Sequence, residues 1–134
     1  AILTEKQEKA TTVNTVITFN GAIATSAITA TDLCVIFGNT LDNAIEACEK
    51  LQTDIKKKIS VVCKCNSGFI FFTISNPVAE NIKIHNNTIQ TTKQDKSTHG
   101  FGLYSLQKIV DKYDGTLALS CVDQIFKCDV TLNL

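Results

Sequence analysis

The sequence of 134 residues contains no arginine, no methionine and no tryptophan, and it has only one proline and two histidines. Its thirteen basic residues are therefore all lysines, and thirteen acidic residues balance them to a formal net charge of zero. Because the chain has no net basic field, we expect neither nucleic acid nor an anionic membrane as a partner. Any basic side chain that contacts a phosphate must be a lysine, which acts as a point charge and not as a bidentate fork.

Long apolar runs are also missing. No stretch of 18 apolar residues and no signal-peptide pattern is present, so the sequence predicts no transmembrane helix. Hydrophobic residues make up 44% and charged residues 19% of the chain, which is typical of a globular domain with one core. The chain begins without methionine inside a predicted helix, and we therefore expect it to be a piece of a longer protein.

The six cysteines show no CxxC pair, and with two histidines they offer no zinc-site spacing. Cys34 and Cys48 are predicted on the apolar side of one helix, and Cys63 and Cys65 on one face of a strand. A chain of this length with a good apolar pattern needs no disulfides. We interpret these cysteines as buried free thiols, as expected in a reducing compartment.

Hydrophobic periodicity predicts the order helix, strand, helix, two strands, long loop, helix, two strands. Asp32 is a good N-cap for a helix over residues 33–52, and Gly115 suits the end of the last helix. Hairpin turns are predicted at NSG and at DQ. Since most strands are hairpin partners, we expect an α+β fold. Its form is a two-layer α/β sandwich, with a mixed, mostly antiparallel sheet covered on one face by three helices.

The whole chain, 1–134, reads as one domain without repeats or an internal linker. Residues 77–100 carry the only proline, many polar residues and little periodicity. A loop of this length inside a compact domain is unusual, and it is either functional or a disordered insertion.

The predicted helix over 33–52 carries two amides one turn apart, Asn39 and Asn43, although Asn is a poor helix former. With Glu46 and Lys50 they form a polar line away from the apolar stripe. From spacing alone, a solvated face is the simpler interpretation. The alternative is a row that faces a ligand, because side-chain oxygens at i and i+4 can hold Mg²⁺ and, through it, phosphates.

Two other stretches are candidate ligand contacts. Gly100 and Gly102 stand immediately before a predicted helix, where backbone N–H groups can bind an anion, and Lys93 and Lys96 precede them. Asn76 ends a predicted strand just before the only proline, and local sequence alone favours a turn there. Each signal is weak by itself, since most GxG pairs before a helix bind no phosphate and lone surface lysines indicate nothing.

Taken together, these stretches resemble the ATP-binding catalytic domain of sensor histidine kinases, in the GHKL superfamily with the Bergerat ATP-binding fold. LCVIFGNTLDNAIEAC is similar to its N-box and HGFGLYSLQKIVDKYDG to its second glycine box, in the right order. The resemblance covers nearly the whole chain. LDNAIEA, TTKQDKSTHGFGL and the lack of a first glycine box are closest to the receptor kinases of peptide quorum sensing.

The resemblance implies a catalytic and metal site on the two amides. Asn43 corresponds to the residue that holds the Mg²⁺ bridging the ATP phosphates, and Asn39 supports the same site. Hydrolytic members of the superfamily carry a glutamate at the position of Asn39, where it acts as general base. An amide cannot take a proton, so the resemblance implies phosphoryl transfer without efficient hydrolysis.

The resemblance also implies the nucleotide contacts. Residues 77–100 correspond to the ATP lid, which contains Lys93. Asn76 stands where the family has the aspartate that accepts from the adenine amino group, and no glycine follows it in NPVAE. The amide oxygen is still an acceptor, although a neutral one is weaker. The phosphate-binding stretch corresponds to His99, Gly100, Phe101, Gly102 and Leu103.

The implied partners are ATP, an upstream histidine-containing dimerisation domain and a response regulator. Neither His85 nor His99 has a helical dimerisation context, so we expect the phosphorylated histidine outside this chain. The fragment is expected to be a nearly inactive monomer, and its parent a homodimeric membrane-bound sensor with this domain in the cytoplasm. Two alternatives stay open: a stand-alone serine kinase of the anti-sigma type, and a degenerate interaction module that binds no nucleotide.

Overall fold

The structure, a computed structural model, describes residues 2–23, 28–51, 56–66, 68–81, 84–85, 88–89 and 96–134, with only the backbone for 85, 88–89 and 96–103. The helices are α1 (Ile2–Thr11), α2 (Ala30–Glu49) and α3 (Lys96–Lys112). The strands are β1 (Thr15–Gly21), β2 (Lys57–Asn66), β3 (Phe69–Pro77), β4 (Ile84–His85), β5 (Thr88–Ile89), β6 (Thr116–Val122) and β7 (Ile125–Asn133). The sequence predicted all of these elements except the two-residue strands β4 and β5.

Five strands form one sheet in the order β1-β2-β3-β7-β6, and β4 and β5 pair with each other. Strands β1 and β2 are parallel, whereas the other neighbours in the large sheet are antiparallel. The predicted mixed, mostly antiparallel sheet is confirmed. The closing hairpin turns at Asp123 and Gln124, as predicted from DQ.

The three helices cover one face of the large sheet. Alternation along β3 puts Ile70, Phe72 and Ile74 on that face, where they are buried. Helix α2 packs over β3, with α1 over β1 on one side and α3 over β6 on the other. The ring of Phe37 on α2 meets the ring of Phe72 edge-on, with 5.2 Å between the centroids. The predicted two-layer α+β architecture is thus confirmed.

The first turn of α2 differs from the prediction. The N-cap is Thr29, whose hydroxyl accepts from the Asp32 backbone N–H at 3.1 Å, and Asp32 itself lies inside the helix and is only 5% exposed. The assignment of Asp32 as N-cap was therefore wrong. Thr29, Thr31 and Asp32 are all good capping residues, so local preference alone does not choose among them.

Helix α3 begins earlier than predicted. It starts at Lys96, so Gly100 and Gly102 lie in its second turn and not before the helix. Each glycine costs about 1 kcal/mol of helix propensity relative to alanine, which is why the pattern predicted a start after them. The packing of α3 against α2 supplies the tertiary contact that intrinsic propensity does not contain.

Helix α3 ends close to the predicted position, but Gly115 is not the left-handed residue that stops it. The helix ends at Lys112, and Asp114, with φ of 49°, is the left-handed residue. The Gly115 N–H donates to the Val110 carbonyl at 2.8 Å. A Cβ on Gly115 would lie 2.0 Å from the Thr131 carbonyl oxygen, so a glycine is required there by the close approach of β7.

All six cysteines are free thiols, as predicted. Cys48 and Cys63 are buried, but Cys34 and Cys65 are exposed, so the prediction of burial was wrong for these two. Strand β1 ends at Gly21, the partner of Cys63, so Cys65 lies beyond the β1–β2 pairing. Burial raises the pKa of Cys63 to about 11.

Candidate functional site

Helix α2 runs along β3 in the same direction. Its middle is fixed by the packing of Phe37 on Phe72, the fourth of the nine residues of β3. Near its end, Cys48 contacts the hydroxyl of Thr15. Strand β1 starts at Thr15, beside the start of β2 and hence at the end of the sheet where β3 finishes. The C-terminal half of α2 therefore approaches Asn76, the penultimate residue of β3.

Helix α3 runs in the opposite direction beside α2. Lys112 Nζ and Tyr113 Oη donate to Asp32 Oδ2 at 2.8 and 2.5 Å, and these bonds join the end of α3 to the first turn of α2. The helical rise is about 16 Å from Asp32 to Asn43 and about 15 Å from Lys112 back to Gly102. The backbone of the second turn of α3 therefore lies level with Asn43, and Asn39 lies one helical turn nearer to Asp32.

The two flanks of α2 carry different chemistry. Asn39 and Asn43 are half-buried and follow Asp32 at spacings of seven and eleven, which places all three on the flank that faces α3. On the opposite flank, Asp42 accepts from Lys6 of α1 at 2.8 Å. At the level of Asp42 an ion pair occupies the α1 flank, whereas the α3 flank presents neutral amides, which lie between the ion pair of Asp32 with Lys112 and that of Glu46 with Lys50. The half-burial of these amides favours a row that faces a ligand over a fully solvated face.

Asn76 presents an acceptor at the end of β3. It is only 4% exposed, and its Nδ2 donates to the Pro77 carbonyl at 3.0 Å. Because a carbonyl only accepts, the amide nitrogen must face Pro77, and Oδ1 then points the other way. Asn76 and Pro77 still pair with Phe126 and Ile125 of β7, so the strand continues where local sequence favoured a turn.

The structure brings most of the predicted site residues to one end of the sheet. Asn39 and Asn43 come from α2, Asn76 comes from β3, and a third group comes from the backbone of the first two turns of α3. That group consists of His99, Gly100, Phe101, Gly102 and Leu103, whose side chains are outside the described atoms. Lys93 lies outside the described residues.

Sequence reasoning missed Gln124, in the turn between β6 and β7. Its carbonyl accepts from the Val78 N–H at 2.9 Å, and its Nε2 donates to the Ala79 carbonyl at 2.7 Å. Its own N–H donates to Asn81 Oδ1 at 2.8 Å. Gln124 thereby holds the segment that follows Asn76. These partners are more than forty residues apart in the chain, and no local pattern signals such contacts.

The electrostatics of α2 separate its two ends. Hydrogen bonds from Lys112 and then Tyr113 hold the pKa of Asp32 below its usual range, and the same contact raises the pKa of Lys112. This carboxylate is bonded by two side chains of the protein and lies about 16 Å along the helix from Asn43. It belongs to the scaffold of the site and not to the site itself.

The donor set at the other end suits a hard cation shared with a ligand. In the described part of the chain, no group of three or more His, Cys, Asp or Glu side chains could hold a metal. Mg²⁺ prefers oxygen ligands and keeps several waters, so one or two amide oxygens together with phosphate oxygens suffice. The amides of Asn39 and Asn43 fit this requirement, and they do not repel an anionic ligand.

Comparison with known families identifies the class of this fold and site. The family model described as GHKL domain matches residues 28–133, and the chain therefore belongs to the GHKL domain family. A sequence comparison with curated proteins gives no significant match. No helix in the described ranges is long and apolar enough to cross a membrane.

Among solved structures, this chain is similar in fold to several histidine kinases. The catalytic domain of histidine kinase ThkA is similar over 98% of this chain and 87% of its own, with 19% identity and a TM-score of 0.71. Histidine kinase AdeS of Acinetobacter baumannii matches 98% of this chain and 60% of its own, at 13% identity and a TM-score of 0.67. Full-length ShkA, solved in complex with AMPPNP, matches 98% of this chain and 28% of its own, at 11% identity and a TM-score of 0.65.

The fold is therefore that of histidine kinase catalytic domains, as the sequence resemblance implied. At these identities the likeness establishes the shared fold alone. The closer assignment to the kinases of peptide quorum sensing stays a prediction.

Proposed function

We propose that this domain binds Mg-ATP and donates the γ-phosphoryl group to a histidine, as the catalytic part of a sensor histidine kinase. The observation that supports this function is the convergence of three elements at one end of the sheet. Helix α2 contributes Asn39 and Asn43, α3 contributes the backbone around Gly100 and Gly102, and β3 contributes Asn76. ShkA, which shares this fold, was solved in complex with AMPPNP, and this supports a nucleotide site in the present domain.

The phosphate end of the site lies between α2 and α3. Asn43, supported by Asn39, holds Mg²⁺, which neutralises phosphate charge when bound. The first four N–H groups of α3, those of residues 96–99, have no acceptor within the helix and carry the positive end of its dipole. They suit an anion, and Gly100 and Gly102 add no side chain that would block its approach.

The base end of the site lies at the end of β3. With its Nδ2 bonded to Pro77, Asn76 directs its Oδ1 as an acceptor toward the adenine amino group. In this proposal, residues 77–100, which include Lys93, are assigned to the ATP lid. Lys93 is then a cation for the phosphates, which suits a chain that has no arginine.

The proposed reaction is phosphoryl transfer without hydrolysis. Such transfer depends on the positioning of donor and acceptor and on charge neutralisation. The amide of Asn39 cannot take a proton from water, so the site offers no general base there. The accepting histidine belongs to an upstream dimerisation domain, and a response regulator then receives the phosphoryl group. In this proposal the fragment is a monomer and the parent a homodimer that is membrane-bound, with this domain in the cytoplasm.

Calorimetric titration of ATP into the domain, with and without Mg²⁺, tests the proposal. We expect saturable binding that Mg²⁺ strengthens, and roughly a 100-fold loss of Mg-ATP affinity in Asn43→Ala, because a metal ligand is removed. Asp42→Ala is the matched control, since this neighbouring residue faces α1. It should bind Mg-ATP like the wild type.

Two results would contradict the proposal. Absence of binding at millimolar nucleotide would support the degenerate interaction module, which the altered segment after Asn76 favours. Efficient phosphorylation of a serine in a separate protein, with no upstream helices present, would support the anti-sigma type of kinase.

A further inference from the structure

The turn between β6 and β7 is bonded to the segment that follows Asn76. Three hydrogen bonds of 2.7 to 2.9 Å join Gln124 to this segment. The Val78 N–H donates to the Gln124 carbonyl, Gln124 Nε2 donates to the Ala79 carbonyl, and the Gln124 N–H donates to Asn81 Oδ1. One residue thus uses its N–H, its carbonyl and its side chain on a single short segment. In the described part of the chain, these bonds tie residues 78–81 to the large sheet beyond the end of β3.

Gln124 is an unfavourable residue for the turn that it occupies. Asp123 and Gln124 have φ of 52° and 61°, and they form the two-residue loop between the paired residues Val122 and Ile125. Such a loop favours Asn, Asp or Gly, and most strongly Gly at its second position. A glutamine there breaks the local rule. Residues that break a local rule are expected where their side chain has a function.

A rigid peptide unit connects Gln124 to Asn76. The N–H of Val78, which Gln124 binds, and the carbonyl of Pro77, which the Asn76 amide binds, belong to the same planar peptide bond. A rotation of that plane would move both hydrogen bonds together. The orientation of the Asn76 amide, and hence the direction of its Oδ1, therefore depends on how firmly Gln124 holds this segment.

We propose that Gln124 is a positioning residue for the adenine end of the nucleotide site. It fixes residues 78–81 and the Pro77–Val78 peptide so that the Asn76 oxygen faces the amino group of the base. The inference rests on the proposed function, because it assigns the adenine acceptor to Asn76.

Gln124→Asn tests the proposal, with Asp123→Asn as the matched control. Asparagine tolerates the left-handed conformation at both positions, so both variants keep the turn. At position 124 its side chain is one methylene shorter and does not reach the Ala79 carbonyl. The two bonds of the residue 124 backbone, to Val78 N–H and to Asn81 Oδ1, stay in place, so the variant measures what the side chain adds to them. Asp123→Asn leaves all three bonds of Gln124 in place. It also removes a negative charge, which favours an anionic ligand and so does not imitate a loss of affinity.

Affinities for Mg-ATP and for Mg-tripolyphosphate, measured side by side, separate positioning from a general loss of structure. Tripolyphosphate has no base, so it reports only on the phosphate end. We expect Gln124→Asn to weaken ATP binding about tenfold, the effect of one hydrogen bond, and to change tripolyphosphate binding less than about twofold. Asp123→Asn should weaken neither. If Gln124→Asn misfolds, Gln124→Met takes its place: it keeps the length of the side chain, lacks the donor and adds no charge, and it should give the same selective loss of ATP affinity.

The possible outcomes separate the two proposals. Equal loss of both ligands, or no loss of ATP affinity relative to Asp123→Asn, would overturn the role of Gln124 while the nucleotide site stands. A wild-type domain that binds no ATP would overturn the proposed function and, with it, this inference.

Discussion

The two ends of the α2–α3 pair are built on different principles. At one end, the buried Asp32 is bonded by Lys112 and Tyr113, so its carboxylate is paired with the Lys112 ammonium. At the other end, the same flank of α2 presents Asn39 and Asn43, which are neutral, half-buried and poor helix formers. One end holds the helices together, and the other has the composition of a ligand site.

This difference separates stability from function along a single helix. The hydrogen bonds at Asp32 hold the C-terminal end of α3 against the first turn of α2. Because a helix is rigid, this contact also sets the position of the first turns of α3. The amides then need no bonds of their own to be in place. Variants at the Asp32 end should change the free energy of unfolding, and variants at the amide end should change nucleotide affinity.

The largest effect on stability is expected from Asp32→Asn. The change removes the charge that accepts from Lys112 and Tyr113, and it turns one oxygen of a buried group into a donor. We expect the free energy of unfolding to fall by about 2 kcal/mol, the cost of losing charge-assisted hydrogen bonds at a buried site. Urea unfolding measures it. An unchanged midpoint of urea unfolding would show that the hydrogen bonds of Asp32 do not stabilise the contact between α2 and α3.

Asn39→Ala should lower nucleotide affinity without lowering stability. We expect Mg-ATP affinity to fall about tenfold, or about 1.4 kcal/mol, while the free energy of unfolding rises by about 0.5 kcal/mol because alanine is the better helix former. Asp42→Ala, which breaks the ion pair with Lys6, should lower stability by up to about 1 kcal/mol and leave affinity unchanged. Calorimetry and urea unfolding on both variants test the comparison. An equal loss of Mg-ATP affinity in Asn39→Ala and Asp42→Ala would contradict the division of roles between the two ends.

Tyr113→Phe sharpens the comparison, because it removes one hydroxyl and leaves the ring. Asp32 keeps its bond from Lys112, so we expect a loss of about 1 kcal/mol in the free energy of unfolding. Nucleotide affinity should stay within about twofold of the wild type, an effect below about 0.4 kcal/mol. A loss as large as that of Asp32→Asn would indicate that the hydroxyl, and not the lysine, carries the contact.

The smallest effect is a pH dependence at the same carboxylate. The hydrogen bonds from Lys112 and Tyr113 lower the pKa of Asp32 in the folded state. Its contribution to stability is therefore complete above the ordinary aspartate pKa of about 3.9 and is lost as pH falls through the lowered value. The stability gap between the wild type and Asp32→Asn should be constant from about pH 7 to 5 and narrow below about pH 4. A gap that widens in acid would contradict this assignment.

The amino-acid sequence by itself determined the elements and their faces, because the periods of 3.6 and 2 mark which side of a helix or strand is buried. It predicted the α+β sandwich, the hairpin at Asp123 and Gln124, and the family. It also singled out Asn39 and Asn43, since asparagine in a helix interior conflicts with local preference.

Only the tertiary structure decided which capping residue starts α2, where α3 begins, and that Cys34 and Cys65 are exposed. Local propensities at these positions differ by about 1 kcal/mol or less, and contacts between distant elements outweigh them. The same holds for the bonds of Gln124 to residues 78–81 and of Asp32 to Lys112. These partners meet because the sheet order brings strand ends and helix ends together, and the linear sequence carries no periodic signal of that meeting.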